Sequence, residues 1–403
     1  MDGVCVVITP LIALMKDQVL NLRKRGIKAA AIYSGMTRDT IITTMENAIF
    51  GAVKILYVSP ERLTSETFLK KLSHVKVSLL TIDEAHCISQ WGYDFRPSYL
   101  RIGEIRRLFP RVPVLALTAT TTPPVVSDIQ QRLGFKTENV FRMSFERKNL
   151  AYVVRKVEDK NQELIHILSR MQGSAIVYVR SRQRTKETAE MLNSNGFSAT
   201  YYNAGLESAT KDERQKSWTK DEVRVMVATN AFGMGIDKPN VRFVINFDLP
   251  KSIEEYYQEI GRAGRDGQQA WALLLYTYAD VHKIRYFFTD MADPTKAEMK
   301  LKSMVNFASG NSCRRKALLN YFGEKYEAAF GSVSEQELGA RKLGSVSEHA
   351  LETRKLGSEC EKLGSTGEYL SETRTLGSTG APVLAEATTT GEADGRWCCD
   401  ICS

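Results

Sequence analysis

Residues Val77–Tyr99 read VSLLTIDEAHCISQWGYDFRPSY, and the fold can be worked out from this stretch. Its largely apolar beginning, Val77–Ile82, predicts a strand buried on both faces of a parallel sheet. Asp83 and Glu84 follow at the carboxyl end of that strand, where open α/β sheets bind their ligands. Such an acidic pair can hold Mg²⁺ and orient an attacking water. The alternative interpretation is a helix start, where acidic residues are also favoured.

The second half of the stretch, Cys87–Tyr99, interleaves four aromatic residues with polar groups and Arg96. Proteins hold single-stranded nucleic acid by stacking bases on aromatic rings and by basic contacts to the backbone. The alternative is a buried aromatic cluster. Because Gln90, Asp94 and Arg96 are poor core material, the pattern favours a nucleic-acid-binding loop.

On both sides of this stretch, apolar runs alternate with helical patterns, which indicates βαβ units and parallel sheets. A second unit follows a joint near residues 145–149. The predicted strands are Val4–Thr9, Lys54–Val58, Val77–Ile82, Val112–Thr118, Ser174–Val179, Ala199–Tyr202, Val223–Thr229, Val241–Phe247 and Ala270–Tyr276. The predicted helices include Leu11–Lys24, Thr37–Phe50 and one from about Ser181 to Asn195, with Ser181 as its N-cap and Gly196 as its stop.

Further motifs lie at strand ends and turns. Leu117–Thr120 reads LTAT, and its hydroxyls could relay contacts between a nucleotide site and a neighbouring domain. In the second unit, Gly233 and Gly235 allow close backbone approach. Arg262 and Arg265 are three residues apart and would share a helix face or turn. Two arginines aimed at a γ-phosphate would stabilise transition-state charge; a solvated basic helix end is the alternative.

Charge divides the chain into two parts. The 403 residues have a formal net charge of +8, but the first 325 hold 48 basic and 34 acidic side chains while residues 326–403 hold 7 and 13. A basic body points to a polyanionic partner. No apolar run reaches the roughly 18 residues of a membrane span, the start lacks a signal-peptide pattern, and seven cysteines make no disulfide framework. We therefore expect a cytoplasmic protein without a membrane partner.

Together these motifs resemble those of RecQ-type DNA helicases of superfamily two, in their bacterial form. The resemblance covers Met1 to about Glu324 and the last few residues. The aromatic loop and the segment at Cys313–Glu324 separate RecQ proteins from RNA helicases, which share DEAH. The matching segments are TPLIALMKDQV (Thr9–Val19), YVSPERL (Tyr57–Leu63), DEAH (Asp83–His86), CISQWGYDFRPSY (Cys87–Tyr99), LTAT (Leu117–Thr120), VYVRSR (Val177–Arg182), VATNAFGMGIDKPNVRFVINFDLP (Val227–Pro250), YYQEIGRAGRDG (Tyr256–Gly267) and CRRKALLNYFGE (Cys313–Glu324).

The resemblance implies two RecA-like parallel-sheet α/β domains, residues 1–145 and 146–285, the first of them incomplete. A small helical zinc-binding module would follow at residues 286–325 and 396–403, interrupted by a low-complexity insert at residues 326–395. Repeats in the insert, such as GSVSEQELGARKLGS at Gly331–Ser345, are too short and polar to bury a core. We therefore expect a flexible insert.

The resemblance also implies a function: an ATP-dependent helicase that unwinds DNA 3′ to 5′ in repair and recombination, binding single strands and duplex junctions at the nucleoid. ATP and Mg²⁺ would lie between the two domains, with Asp83 on the metal and Glu84 on the water. Further nucleotide contacts would come from Gly235, Asp237, Gln258, Arg262 and Arg265. DNA phosphates would contact Thr9, Ser59 and Arg62, and DNA binding would be coupled to hydrolysis through His86, Trp91, Phe95 and Arg96.

One departure from the family pattern concerns nucleotide binding. The chain contains no Gly-Lys pair, so it lacks the phosphate-binding loop G-x-x-x-x-G-K-[ST], which RecQ relatives carry upstream of the segment at Thr9–Val19. We expect a fragment or a miscalled start of a longer helicase, whose first sheet lacks a strand beside the DEAH strand and exposes an edge. The alternative is a non-enzymatic DNA-binding remnant or a non-functional fragment.

A second departure concerns zinc. Cys313, Cys399 and Cys402 occupy the family's ligand positions, but the remaining position holds Arg396. Structural zinc sites take four nitrogen or sulfur ligands, so another residue would have to complete this one. The candidates are Cys398, Cys360 and His349.

Overall fold

The structure is a computed structural model that describes residues 2–92, 94–233, 238–289, 293–326 and 399–401. Two parallel sheets follow one another along the chain, and two helices after the second sheet pack against it. All nine predicted strands are present, with bounds that differ by up to two residues. The predicted insert lies outside the described residues apart from its first residue, Tyr326, as do its repeats.

The first sheet has five strands in the order β2-β3-β1-β4-β5, and all its neighbouring strands are parallel. Its strands are β1 (Val4–Ile8), β2 (Ala29–Ile32), β3 (Ile55–Val58), β4 (Val77–Ile82) and β5 (Val114–Ala116). Its helices are α1 (Ile12–Lys24), α2 (Arg38–Ile49), α3 (Glu66–Leu72), α4 (Ile102–Leu108) and α5 (Pro123–Arg132). The order places the ends of β1 and β4 side by side, and these ends carry Thr9 and Asp83.

The strand order corrects one expectation about this sheet. The DEAH strand β4 has a parallel neighbour on each side, β1 and β5, so no place beside it is open. Among the described residues, the edge strand on this side of the sheet is β5. Leu115 of this strand and Leu117, just after it, are each 44% exposed. The prediction that a strand is lacking beside β4 is therefore wrong.

The second sheet has six parallel strands in the order β6-β11-β10-β7-β9-β8. Buried side chains form two separate clusters around it, as expected for a sheet covered on both faces. Its strands are β6 (Leu150–Lys156), β7 (Ser174–Tyr178), β8 (Ala199–Tyr202), β9 (Val225–Ala228), β10 (Val241–Asn246) and β11 (Ala270–Tyr276). Its helices are α6 (Lys160–Arg170), α7 (Arg182–Ser194), α8 (Ser208–Thr219), α9 (Ile253–Ile260) and α10 (Tyr278–Tyr286).

The predicted helix after β7 is confirmed together with its cap. The hydroxyl of Ser181 accepts a hydrogen bond from the backbone N–H of Arg184 at 3.1 Å. Gly196, just past the helix, has a φ of +82°, which only glycine adopts without strain. The residues that predicted both ends of α7 are therefore the residues that form those ends in the structure.

The two remaining helices, α11 (Thr295–Ser309) and α12 (Arg314–Tyr321), share the core of the second domain. Phe307, Leu318 and Phe322 pack in one buried cluster with Tyr152 of β6. Cys399 returns to the same place, because it forms a parallel bridge with Tyr152. This module is therefore fastened to the edge of the second sheet. Among the described residues, no helix is long and apolar enough to span a membrane.

Candidate nucleotide and nucleic-acid site

The acidic pair lies at the point where β1 and β4 end. Thr9, the residue after β1, donates a hydrogen bond from its hydroxyl to Asp83 Oδ2 at 3.0 Å. The buried Tyr99 hydroxyl donates to the carbonyl of Asp83 at 3.0 Å. Glu84 has a φ of +48°, a left-handed conformation that is uncommon for a residue with a side chain and often marks a functional site. A short 3₁₀ helix, Ala85–Ile88, does begin after Glu84, so the helix-start alternative is also present, but no side-chain hydrogen bond caps that helix.

Burial sets the protonation of Glu84 and His86. Desolvation, reinforced by the charge of Asp83, raises the pKa of Glu84 to about 7. Desolvation lowers the pKa of His86 to about 4, so its ring is neutral near pH 7. The 3.3 Å approach of His86 Nδ1 to Glu84 Oε2 is therefore not an ion pair at that pH. A carboxyl group with a pKa near 7 can accept a proton from water.

The LTAT segment connects the acidic pair to the second domain. His86 Nδ1 lies 3.1 Å from the hydroxyl of Thr118. Two residues further on, the hydroxyl of Thr120 accepts a hydrogen bond from Gln258 Nε2, on helix α9, at 3.3 Å. The relay predicted from the sequence has its geometry here: one strand end contacts both the DEAH motif and the second domain.

Arg262 and Arg265 have different surroundings. Arg262 is buried, and its guanidinium donates to the carbonyl of Gly233. A Cβ on Gly233 would lie 2.2 Å from Arg262 Nε, so only glycine allows this approach. Arg265 is exposed, and its Nε donates to the Gly261 carbonyl at 3.5 Å. The structure thus brings Arg262 toward the domain boundary and leaves Arg265 at the surface.

Two buried polar atoms at this boundary fit a phosphate or its attacking water. Glu84 Oε2 and Arg262 Nε lack hydrogen-bond partners among the described residues. Buried polar groups are almost always paired, so such atoms point to a ligand at this place. The charge of Arg262 also acts on Glu84 by lowering its pKa, although burial outweighs that effect. With Asp83 supplying carboxylate oxygens, the donor set suits Mg²⁺ and a nucleotide phosphate. Gly235 and Asp237 lie outside the described residues.

The aromatic loop presents one ring to solvent and buries another. Trp91 is 54% exposed, whereas Tyr99 is fully buried and belongs to the core. Phe95 is half-buried, and Arg96 donates two hydrogen bonds to Asp94 Oδ2 at 2.9 and 2.8 Å. The core alternative therefore holds for Tyr99, and Trp91 is the most exposed of the loop's described rings and is available for stacking.

Helix α11 contacts this loop through two lysines that no sequence motif had indicated. Lys296 Nζ lies 4.2 Å from the centroid of the Trp91 ring, a cation–π contact. Lys300 Nζ donates to the Trp91 carbonyl at 3.1 Å and lies 3.4 Å from Glu254 Oε1 of α9. The loop of the first domain is thereby tied to the module and to the second domain.

The predicted phosphate contacts are mostly buried. Thr9 and Ser59 are fully buried, so neither offers a surface hydroxyl to DNA in this conformation. Arg62 is partly exposed, and its guanidinium donates to the carbonyl of Tyr33 at 3.1 and 2.8 Å. Thr9 instead belongs to the acidic pair. Direct contact of Thr9 and Ser59 with DNA stays a prediction that would require rearrangement.

Two of the predicted zinc ligands lie together. The sulfur atoms of Cys313 and Cys399 are 3.9 Å apart, close to the roughly 3.8 Å between two thiolates on a tetrahedral zinc with Zn–S distances of about 2.3 Å. The backbone N–H of Arg314 donates to Cys399 Sγ at 3.4 Å. Within the described part of the chain no group of three candidate ligands forms. Cys402, Arg396 and the replacement candidates Cys398, Cys360 and His349 lie outside it.

Comparisons with known proteins cover most of this architecture. Residues 1–129 match the family described as DEAD/DEAH box helicase, residues 159–267 match the helicase conserved C-terminal domain, and residues 278–331 match RecQ zinc-binding. In solved structures, the fold resembles S. cerevisiae Dbp5 bound to RNA and ADP BeF3, with a TM-score of 0.54 at 19% identity over 75% of this chain and 81% of that one. It also resembles the Mycobacterium smegmatis helicase Lhr bound to ssDNA and AMP-PNP, with a TM-score of 0.54 at 18% identity over 76% and 42%.

Curated relatives are closer in sequence. The chain is 44% identical over 327 residues to the ATP-dependent DNA helicase RecQ of Pasteurella multocida, covering 80% of this chain and 52% of that protein. It is 42% identical over 335 residues to the Bacillus subtilis protein of the same name, covering 82% and 57%. The chain thus spans about half the length of the curated relatives it matches. With its two RecA-like domains and its RecQ zinc-binding region, the chain belongs to the RecQ-type family of superfamily two helicases.

Proposed function

We propose that this chain forms the motor core of an ATP-dependent DNA helicase, with Mg²⁺-ATP between its two sheets and single-stranded DNA on the aromatic loop. The observation that carries the proposal is the pair of unpartnered buried atoms, Glu84 Oε2 and Arg262 Nε, at the domain boundary. Gln258 and Thr120 join the two domains beside them. A nucleotide phosphate would accept a hydrogen bond from Arg262 Nε, and the attacking water would donate one to Glu84 Oε2.

Each residue has a distinct part in that reaction. Bound Mg²⁺ would neutralise phosphate charge and polarise the phosphoryl group. Asp83, oriented by the Thr9 hydroxyl, would hold the metal. Glu84 would accept a proton from the attacking water, since its raised pKa suits a general base. Arg262 would stabilise the charge that develops on the transferred phosphate, as arginine fingers do, and Arg265 could join it only by moving from the surface.

DNA would be held chiefly by charge and stacking. Trp91 offers an exposed ring, and the basic excess of the first 325 residues suits a polyanion. Contacts of this kind position a strand without reading its sequence, so we expect affinity to fall steeply with salt. Unwinding of junctions in the 3′ to 5′ direction, and a role in repair and recombination, are part of the proposal by analogy with the RecQ relatives.

A second candidate function is DNA binding without nucleotide turnover. It is favoured by the absence of any Gly-Lys pair from the chain, because the backbone cradle and lysine of a phosphate-binding loop contact the β- and γ-phosphates. We therefore expect the purified 403-residue chain to bind DNA but to lack DNA-stimulated ATPase activity.

The deciding experiment measures three quantities on this chain: DNA affinity, nucleotide affinity and ATP turnover with and without single-stranded DNA. Glu84→Gln is the matched control, since it keeps the shape of the side chain and removes the base. Turnover that Glu84→Gln abolishes would establish an active enzyme and overturn the second candidate. Failure to bind DNA would contradict both candidates, whereas failure to bind nucleotide would contradict only the first.

We also propose that Cys313, Cys399 and Cys402 hold a zinc ion that fastens the end of the chain to the module. The 3.9 Å separation of the first two sulfur atoms supports it. Metal analysis of the folded protein should give one equivalent of zinc, and chelation should lower its thermal stability. Less than one equivalent would count against the site.

A further inference from the structure

The segment between the two sheets, residues 144–150, contacts helix α12 and the residues just after that helix. The ring of Phe145 stacks on Phe322 with centroids 4.4 Å apart. The backbone N–H of Phe145 donates to Glu324 Oε2 at 2.8 Å, and Arg315 Nη2 donates to the carbonyl of Leu150 at 3.2 Å. The module that follows the second domain thus holds the linker that precedes it.

On the other side, Arg147 reaches the turn that carries the two functional arginines. Its guanidinium donates to the carbonyls of Gly261 at 3.4 Å, Ala263 at 2.9 Å and Gly264 at 3.1 Å. Carbonyls just past the end of a helix have no partner within it, and α9 ends at Ile260. A cation there also suits the helix dipole. Two of the three carbonyls, those of Gly261 and Ala263, belong to the residues on either side of Arg262.

Asn149 holds the rest of the turn. Its Nδ2 donates to the carbonyls of Gly264 at 2.7 Å and Gln268 at 2.9 Å. Its Oδ1 accepts from Arg147 Nε at 3.4 Å, which couples the two side chains. Gly264 has a φ of +57°, and a Cβ there would lie 2.6 Å from Asn149 Nδ2. The turn and the linker therefore fit each other through a close approach that glycine alone permits.

We propose that Arg147 is a positioning residue for Arg262: it fixes the backbone on both sides of that arginine, and α12 fixes the linker from which Arg147 acts. Arg147 makes its contacts with the turn rather than with the acidic pair, so it acts through Arg262. The zinc-binding module is in this way connected to the nucleotide site without touching it. The consequence for nucleotide recognition rests on the proposed function; the ordering of the turn does not.

The test compares Arg147→Ala, Arg147→Lys and the control Lys148→Ala, whose side chain is exposed in the same linker, in the full 403-residue chain. Amide hydrogen exchange, resolved by peptide, is the first measurement. We expect exchange across residues 261–268 to speed up about tenfold or more in Arg147→Ala, because hydrogen bonds to a charged donor are lost. Arg147→Lys should lie between, since one ammonium cannot span three carbonyls, and Lys148→Ala should match the parent.

Unchanged exchange at residues 261–268 would overturn the proposal, and so would a uniform increase over the whole second domain, which would mean that Arg147 only stabilises the fold. If Arg147→Ala fails to fold, Arg147→Lys decides by the same criterion. The second measurement is the ratio of affinities for ATP and ADP. We expect Arg147→Ala to reduce this ratio as Arg262→Ala does, while Lys148→Ala leaves it unchanged. If Arg262→Ala has no effect on the ratio, the proposed nucleotide site fails while the exchange result still judges Arg147; if Arg262→Ala lowers the ratio and Arg147→Ala does not, the positioning role is wrong.

Discussion

Strands β5 and β6 are both edge strands among the described residues, yet they differ in what covers them. β5 has three residues, and its one leucine, Leu115, is nearly half exposed. β6 has seven, begins with buried Leu150, Ala151 and Tyr152, and is covered by α12 and by the returning residues Cys399 and Asp400. An uncovered edge is a site for unwanted pairing. The zinc-binding module therefore also covers the edge of the second sheet, whereas the edge of the first sheet at β5 has no such cover among the described residues.

The largest effect is expected when the cover of β6 is released. Arg314 is buried; it pairs with Asp400 at 3.1 Å and donates to the carbonyls of Phe307 and Gly310. We expect Arg314→Ala to lower the free energy of unfolding by about 3 kcal/mol, because removing one partner leaves buried groups unpaired. Urea unfolding followed by circular dichroism measures the change.

The matched control for that measurement is Arg285→Ala, whose ion pair with Glu298 at 3.2 Å is largely exposed. Its cost should stay below about 1 kcal/mol. Equal costs for the two variants would mean that the cover contributes no more than a surface contact.

A second prediction concerns a buried carboxyl group that packs against β10 of the second sheet. Glu259 is buried, and burial raises its pKa well above the usual value. Asn246 Nδ2 donates to Glu259 Oε2, while Asn246 Oδ1 lacks a partner among the described residues. A protonated Glu259 has a proton to offer that oxygen. In the unfolded chain Glu259 ionises near its ordinary pKa, so the folded state binds the extra proton, and its stabilisation is lost as pH rises toward the folded pKa.

We therefore expect Glu259→Gln, which is neutral at every pH, to flatten the loss of stability as the pH rises above about 5. The difference in slope from the parent should approach about 1.4 kcal/mol per pH unit at most. Thermal unfolding at increasing pH measures it, with Glu190→Gln, an exposed side chain on α7, as the control. Parallel curves for parent and Glu259→Gln would show that Glu259 is ionised in the folded protein.

A smaller effect tests the contact between the first domain and the module. Lys296 lies over the ring of Trp91, and an exposed cation–π contact contributes about 0.5–1 kcal/mol. Lys296→Met should free that ring, so that acrylamide quenches the Trp91 part of the fluorescence up to about twofold more. Trp91→Phe identifies that part, and Lys302→Met is the control. No change in quenching would mean that Lys296 does not sit on the ring in solution.

The smallest effect belongs to the uncovered edge. Leu115→Ser should change the free energy of unfolding by less than about 1 kcal/mol, because the leucine is already 44% exposed. It should still reduce self-association at high protein concentration, measured by light scattering. Leu274→Ser, at a fully buried position of β11, is the contrasting variant. If both serines destabilise alike, the distinction between the two edges disappears.

The sequence predicted most of the fold because long apolar runs at parallel strands are a strong signal. It missed β2, which reads AAAI and has low strand propensity. It missed β6, which follows directly on a polar linker. The prediction of a missing neighbour of β4 was wrong because strand order is set by pairing across the sheet rather than by position along the chain.

For the site, residue types at strand ends were enough to select Asp83, Glu84 and Arg262. Their burial was not predictable, nor was the difference between Arg262 and Arg265, because both depend on how the turn is held from elsewhere. Arg147 and Lys296 carried no local signal, since each acts across a large separation in sequence. Motifs therefore identify the groups that react, while the residues that place them emerge only from the packed structure.

Because Cys313 and Cys399 lie close together, a further domain could be inserted in the sequence between them. Both sulfurs belong to one packed module, 3.9 Å apart, so the path between them starts and finishes at one spot. Each doubling of such a path adds only about 0.6 kcal/mol of loop-closure entropy. A reporter or affinity domain placed there should therefore leave the motor core folded.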